Sequence, residues 1–162
     1  MSAKFELGNY FGLRFTASRN VLYGIAIIWV AATAFALVAL RLALTEALLG
    51  GFACAVGHEL LVILHQLGHA YAARRTGYPM KGVHFWWVLS RSMYSSSEGD
   101  LPGSVHIRRA LGGPALSAAA SIVLAVIASA FRPWDQTPGW IAAFLFLDCF
   151  LTFTVGAFLP LG

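Results

Sequence analysis

Residues 21–40, VLYGIAIIWVAATAFALVAL, run for twenty positions without a single charge. No soluble fold of this size buries so long a run on all sides, whereas about 20 apolar residues match the hydrocarbon thickness of a bilayer. Inside hydrocarbon every backbone N–H and C=O must find a partner within its own segment, which leaves the α-helix as the structure for such a run. Comparable segments follow, and the spans are taken as about 21–44, 47–73, 110–131 and 140–161. Composition agrees: 59% of the 162 residues are hydrophobic and 11% are charged, against roughly 25% charged in a soluble domain. The chain is predicted to be an all-α polytopic protein integral to the lipid bilayer, with about four transmembrane helices. With no internal repeat or long linker, one membrane domain over 1–162 is the economical reading.

The basic residues orient it. Nine of the eleven, Lys4, Arg14, Arg19, Arg74, Arg75, Lys81, Arg91, Arg108 and Arg109, precede the first span or lie between the second and third, and only Arg41 and Arg132 fall on the other side. By the positive-inside rule the N-terminus and the 74–109 segment are cytoplasmic. The net charge of +4 therefore records topology beside anionic lipid, and nucleic acid is not expected as a partner. The first apolar run is too long for a cleaved signal peptide. Cys54 and Cys149 both fall inside spans, where a small buried hydrophobe is the ordinary role. Between the second and third spans, GVHFWWVLS and SRSMYSSS are bounded by Gly82 and Gly99 and predict a short β-hairpin at about 82–98 on the cytosolic side. Trp86 and Trp87 there also suit a headgroup-level aromatic belt.

The second span carries HQLGH at 65–69. His65 and His69 are one turn apart on one helix face, which lets both imidazoles reach a single tetrahedral Zn²⁺. The alternative at this point is that they only hydrogen-bond across a helix pair. Gly68 between them permits close helix approach. In zinc hydrolases of this spacing, the residue after the first histidine is a glutamate that takes a proton from water. Here it is Gln66, whose neutral amide cannot. His84 and His106, in the connector, are read as surface histidines.

HQLGHAYAARRTG resembles the HELGHxxAARxxG signature of site-2-protease-type intramembrane zinc metalloproteases. The resemblance extends in order along about 50–162. The hairpin follows the active helix, ALGGPALSAAAS is similar to the AGP-type start of the next span with Ser117 where many members have Asn, and 157–160, AFLP, aligns with an N-x-x-P stretch with Ala157 in the Asn position. It implies zinc on His65 and His69, Gln66 at the general-base position, and a third ligand in an Asp-Gly beyond this stretch, so the chain is expected to be a C-terminally incomplete protease core. It further implies that Gly113 and Pro114 lie near the site where substrate is admitted, and that Pro160 unwinds the end of the fourth span beside the metal. The partner implied is a transmembrane helix, as substrate or as a neighbouring subunit.

Asp148 is the acid of the fourth span, about 12 Å from its outer end at 1.5 Å per residue. His58 lies at that depth, two turns before His65, so a buried polar contact between His58 and Asp148 is predicted, with Glu59 close by. Glu59 is no substitute base, being about 10 Å along the helix from position 66. Three readings follow. The first is an intramembrane zinc protease cleaving transmembrane segments, inactive with Gln66 in place. The second is a natural pseudoprotease that binds helices or serves as a structural subunit. The third, ranked last because no other span offers a histidine, is a haem- or quinone-linked electron carrier.

Overall fold

The computed structural model describes residues 4–134 and 136–159. Its order is β1 (Lys4–Tyr10), β2 (Leu13–Ser18), α1 (Asn20–Val38), α2 (Leu44–Arg75), β3 (Gly82–Trp86), β4 (Leu89–Met93), α3 (Gly103–Ala130) and α4 (Thr137–Asp148). After Asp148 the same rod continues as a π-helical segment, Cys149–Val155, and a 3-10 turn, Gly156–Phe158. Among the described residues, four helices are long and apolar enough to cross a membrane: Asn20–Val38, Leu44–Arg75, Gly103–Ala130 and Thr137–Phe158.

Two expectations need correction. The fold is mostly helical but not all-α: the hairpin of β3 and β4 is half of a four-stranded sheet in the order β1-β2-β3-β4. The N-terminal residues supply the other half, an antiparallel pair whose second strand runs parallel to β3. The second hairpin is also shorter than 82–98, ending at Met93. Helix limits move as well. The first helix stops at Val38 rather than 44, because the chain turns at residues 39–43 with Arg41 at a φ of 56°. The third starts at Gly103, seven residues before 110, because Pro102 breaks the chain and leaves the polar stretch 103–109 free to extend the rod.

Packing explains the arrangement. Alternation along β2 buries Leu13, Phe15 and Ala17, which meet Val83 and Phe85 of β3 and pack on Leu61, Val62 and Ala73 of α2. The sheet thereby covers the half of α2 that carries HQLGH. On the other half, Ala47 and Cys54 pack with Ala32 and Ala36 of α1 and Trp140 of α4. Much apolar surface stays outside, with Val38 80% and Ile122 69% exposed.

α2 has 32 residues, roughly 48 Å at 1.5 Å per residue. It ends where the Thr76 hydroxyl donates to Ala73 O (2.7 Å) and Gly77 takes a φ of 81°, the left-handed stop glycine provides without penalty. Gly68 meets α3 backbone to backbone: a Cβ there would lie 3.0 Å from Gly113 Cα and against the Gly112 carbonyl. α4 runs parallel to α2, with Trp140 beside Gly50 and Leu145 beside Gly57.

Candidate metal centre

The contact between α2 and α3 brings His65, His69 and Gly113 together. His69 Nδ1 lies 2.7 Å from the Arg109 carbonyl. The Gly113 N–H faces the same Nδ1 at 3.3 Å, but the much shorter contact is to a carbonyl, which only accepts, so Nδ1 carries the proton and the lone pair of neutral His69 is on Nε2. His65 Nε2 lies 3.0 Å from His69 Nε2, and His65 Nδ1 lies 3.0 Å from the Ser117 hydroxyl. That hydroxyl can donate or accept. When it accepts from Nδ1, both Nε2 lone pairs are free and converge on one point. When it donates, His65 Nε2–H bonds His69 instead. The direction of the Ser117 hydroxyl therefore decides whether His65 gives its Nε2 a proton or a lone pair.

The space in front of the two imidazoles is left open by a missing side chain. A Cβ on Gly113 would stand 2.6 Å from His65 Nε2 and closer still to His69 Nε2. Pro114 follows, buried, where it removes a helix N–H and loosens α3 beside the pair. Two histidines with anchored Nδ1 atoms and a glycine-floored approach fit two corners of a zinc site. Among the described residues no group of three His, Cys, Asp or Glu side chains is placed to hold a metal. Pro160 lies outside the described residues, and Ala157 sits in the 3-10 turn.

Gln66 is buried and faces the sheet. Its Nε2 donates to Ser90 Oγ (2.9 Å) and at 3.4 Å to Ser90 O, while its Oε1 accepts from Ser92 Oγ (2.7 Å). Both ends of the amide are used, and the side chain ties α2 to β4.

The second polar cluster lies two turns away. His58 Nδ1 and Asp148 Oδ2 are 2.8 Å apart, with side chains 5% and 10% exposed. His58 Nε2 donates to Val88 O at 2.7 Å, and Thr152 donates to Asp148 Oδ1 at 2.9 Å. The turn between β3 and β4, with Trp87 at a φ of 55°, therefore reaches down to His58, and its backbone rests on Gly24 of α1. Phe153 joins the clusters, its ring centroid 5.4 Å from that of His58 and 5.5 Å from that of His65. The π-helical turns around it widen the rod, a distortion that concentrates at functional sites. Glu59 has one buried carboxylate oxygen, Oε1, without a partner among the described residues.

A cleft of about 740 Å³ opens between α1 and α4, walled by apolar side chains such as Ile27, Phe35, Phe144 and Leu147, with His58 and Asp148 among its few polar groups. His65 and His69 do not line it.

The sequence reading did not reach Ser90, Ser92, Val88 or the Arg109 carbonyl, nor give Ser117 a role toward His65. The serine-rich connector was the available signal, but which serine faces Gln66 depends on strand register.

A scan of protein-family models and a search of curated proteins each return no match. Among solved structures, the chain is similar to the Site-2 Protease from Methanocaldococcus jannaschii, with a TM-score of 0.63 at 14% identity, over 92% of this chain and 63% of that one. The likeness is one of fold, and the chain spans less than two thirds of that neighbour's length.

Proposed function

We propose that this chain is a site-2-protease-like core embedded in a lipid bilayer, with its N-terminus and sheet on the cytoplasmic side, that holds Zn²⁺ through His65 and His69 and has no proteolytic turnover with Gln66 in place. The convergence of the two Nε2 atoms over Gly113 carries the reading. The fold likeness supports the site-2-protease-like core. A zinc ion held by His65 and His69 would supply Lewis-acid chemistry toward water and a carbonyl. The chain's own residues supply the rest: Arg109 O and Ser117 fix the imidazoles, the sheet shields α2, and the α1–α4 cleft offers an apolar wall to a transmembrane helix of a partner. What is missing is a base, since an amide at 66 accepts no proton and loss of a general base costs about 10²–10⁴ in rate.

A second reading, a natural pseudoprotease kept for binding a helix or supporting an assembly, is favoured by the double engagement of the Gln66 amide with Ser90 and Ser92. One experiment separates them. The full chain and Gln66→Glu are purified in detergent, assayed for bound zinc by mass spectrometry, and mixed with a reporter carrying a cleavable transmembrane helix. Zinc in both and cleavage by Gln66→Glu alone supports a disarmed protease. Zinc in both and cleavage by neither supports the binding role, and no zinc in either removes the metal reading.

A further inference from the structure

Arg109 sits in the second turn of α3 and is only 5% exposed, an unusual place for a guanidinium. Its Nη1 donates to Glu98 Oε2 at 2.9 Å and its Nη2 to Glu98 Oε1 at 2.7 Å, a bidentate fork. Nη2 also donates to Tyr78 O at 2.6 Å. The guanidinium carbon lies 4.2 Å from the centroid of Tyr94 and 5.7 Å from that of Tyr78. Three stretches of connector are thus gathered on one side chain. The same residue's backbone carbonyl lies 2.7 Å from His69 Nδ1, closer than the Gly113 N–H that faces that atom at 3.3 Å.

We propose that Glu98 and the Arg109 side chain are positioning residues for the HQLGH site: the ion pair fixes residue 109 so that its carbonyl holds His69 in the Nδ1–H form with Nε2 turned toward His65. This rests on the metal reading above for its consequence but not for its geometry. The physical basis is a division of labour within one residue. A backbone carbonyl can select a tautomer only if the backbone is held. At 109 it is held by a planar fork bonded to Glu98 and the Tyr78 carbonyl and laid over the Tyr94 ring. Outer-shell contacts of this type usually carry a 10–100-fold share of metal affinity. The 94–98 connector thereby gains control over a site it does not enter.

The test uses the full chain in detergent with Co²⁺ as the probe. Co²⁺ binding is followed by its visible absorption, and the His69 tautomer by ¹⁵N NMR of histidine-labelled protein, with His69→Ala to assign the signal. Glu98→Gln is expected to weaken Co²⁺ binding about tenfold to a hundredfold and to convert His69 from a single Nδ1–H tautomer to a mixture. Glu98→Asp, which keeps the charge, is expected to restore most of both. Weaker Co²⁺ binding with an unchanged His69 tautomer would mark a general structural role and overturn the proposal, as would no change in either. Should the wild-type chain bind no Co²⁺, the metal reading fails, and the tautomer arm alone decides the positioning role. Should Glu98→Gln not fold, Arg109→Lys, which keeps a cation but loses the fork, is judged by the same two readouts.

Discussion

His58 and Asp148, ninety positions apart, meet at 2.8 Å on facing helices, and the carbonyl of Val88 closes the other side of the imidazole. Because that carbonyl only accepts, His58 Nε2 carries a proton, and the Nδ1–Oδ2 contact holds one more between ring and carboxyl. The pair fastens α4 and the tip of the β3–β4 hairpin to the same turn of α2.

Removing one partner leaves the other buried alone. Asp148→Ala is expected to destabilise the fold by about 3 kcal/mol, and Asp148→Asn, which keeps an acceptor, by less. Unfolding of the detergent-solubilised variants, followed by circular dichroism, checks the order. Equal stability of Asp148→Ala and wild type would show that the pair carries no net fastening energy.

Gly113→Ala places a methyl against both Nε2 atoms. Bound metal is expected to fall to the level of His65→Ala and His69→Ala, measured as zinc per chain. Retention of wild-type zinc content would mean that the ion does not sit in the space above Gly113.

In Gln66→Glu a carboxylate replaces the donor that faces Ser90 O. The two serine hydroxyls can turn to donate to it, so only the weaker bond is lost, and the expected cost is about 1 kcal/mol. Backbone hydrogen exchange over β4 is expected to quicken in this variant while exchange over α1 is unchanged. Equal protection of β4 would show that the amide is not what holds the strand.

His84, expected at the surface, is instead buried in β3 at 8% exposure, and it gives a pH test outside the helices. Burial, reinforced by the charges of Arg91 and Lys4, lowers its pKa below the ordinary histidine value, and its Nδ1 lies 2.9 Å from the Thr16 hydroxyl. A base with a depressed folded pKa binds more protons when unfolded, so stability falls as pH drops below about 6.5. The loss stops growing once pH passes below the folded pKa. His84→Gln is expected to flatten this part of the stability profile, measured by thermal unfolding between pH 5 and pH 8. An unchanged slope would place the titrating group elsewhere.

How far these features could be read from sequence depends on what each one is made of. The first helix was legible because an uncharged run of that length has one solvent and one backbone solution. Its early end was not, because Arg41 turns on a backbone angle. The strands before it carried a period-two signal in Leu13, Phe15 and Ala17, with Phe11 and Gly12 as the turn, but those residues lie among basic groups that read equally well as a cytoplasmic tail. His65 and His69 follow from helical spacing alone. The direction of Gln66 does not, since it is decided by β4 serines more than twenty positions away. Arg109 counted as an orientation charge, and only the folded connector gives it Glu98 and Tyr94.

The length of α2 has a consequence of its own. A bilayer's hydrocarbon is about 30 Å thick, some twenty residues of helix, so counting inward from Leu44 brings α2 back to headgroups at about position 64, immediately before His65. In the membrane reading the histidine pair is stationed at the shoreline, and the thickness of the surrounding lipid decides how wet it is. Longer acyl chains would submerge it and shorter ones would flood it. On that reading lipid composition would be a dial on the hydration of this site, turned without touching a residue of the chain.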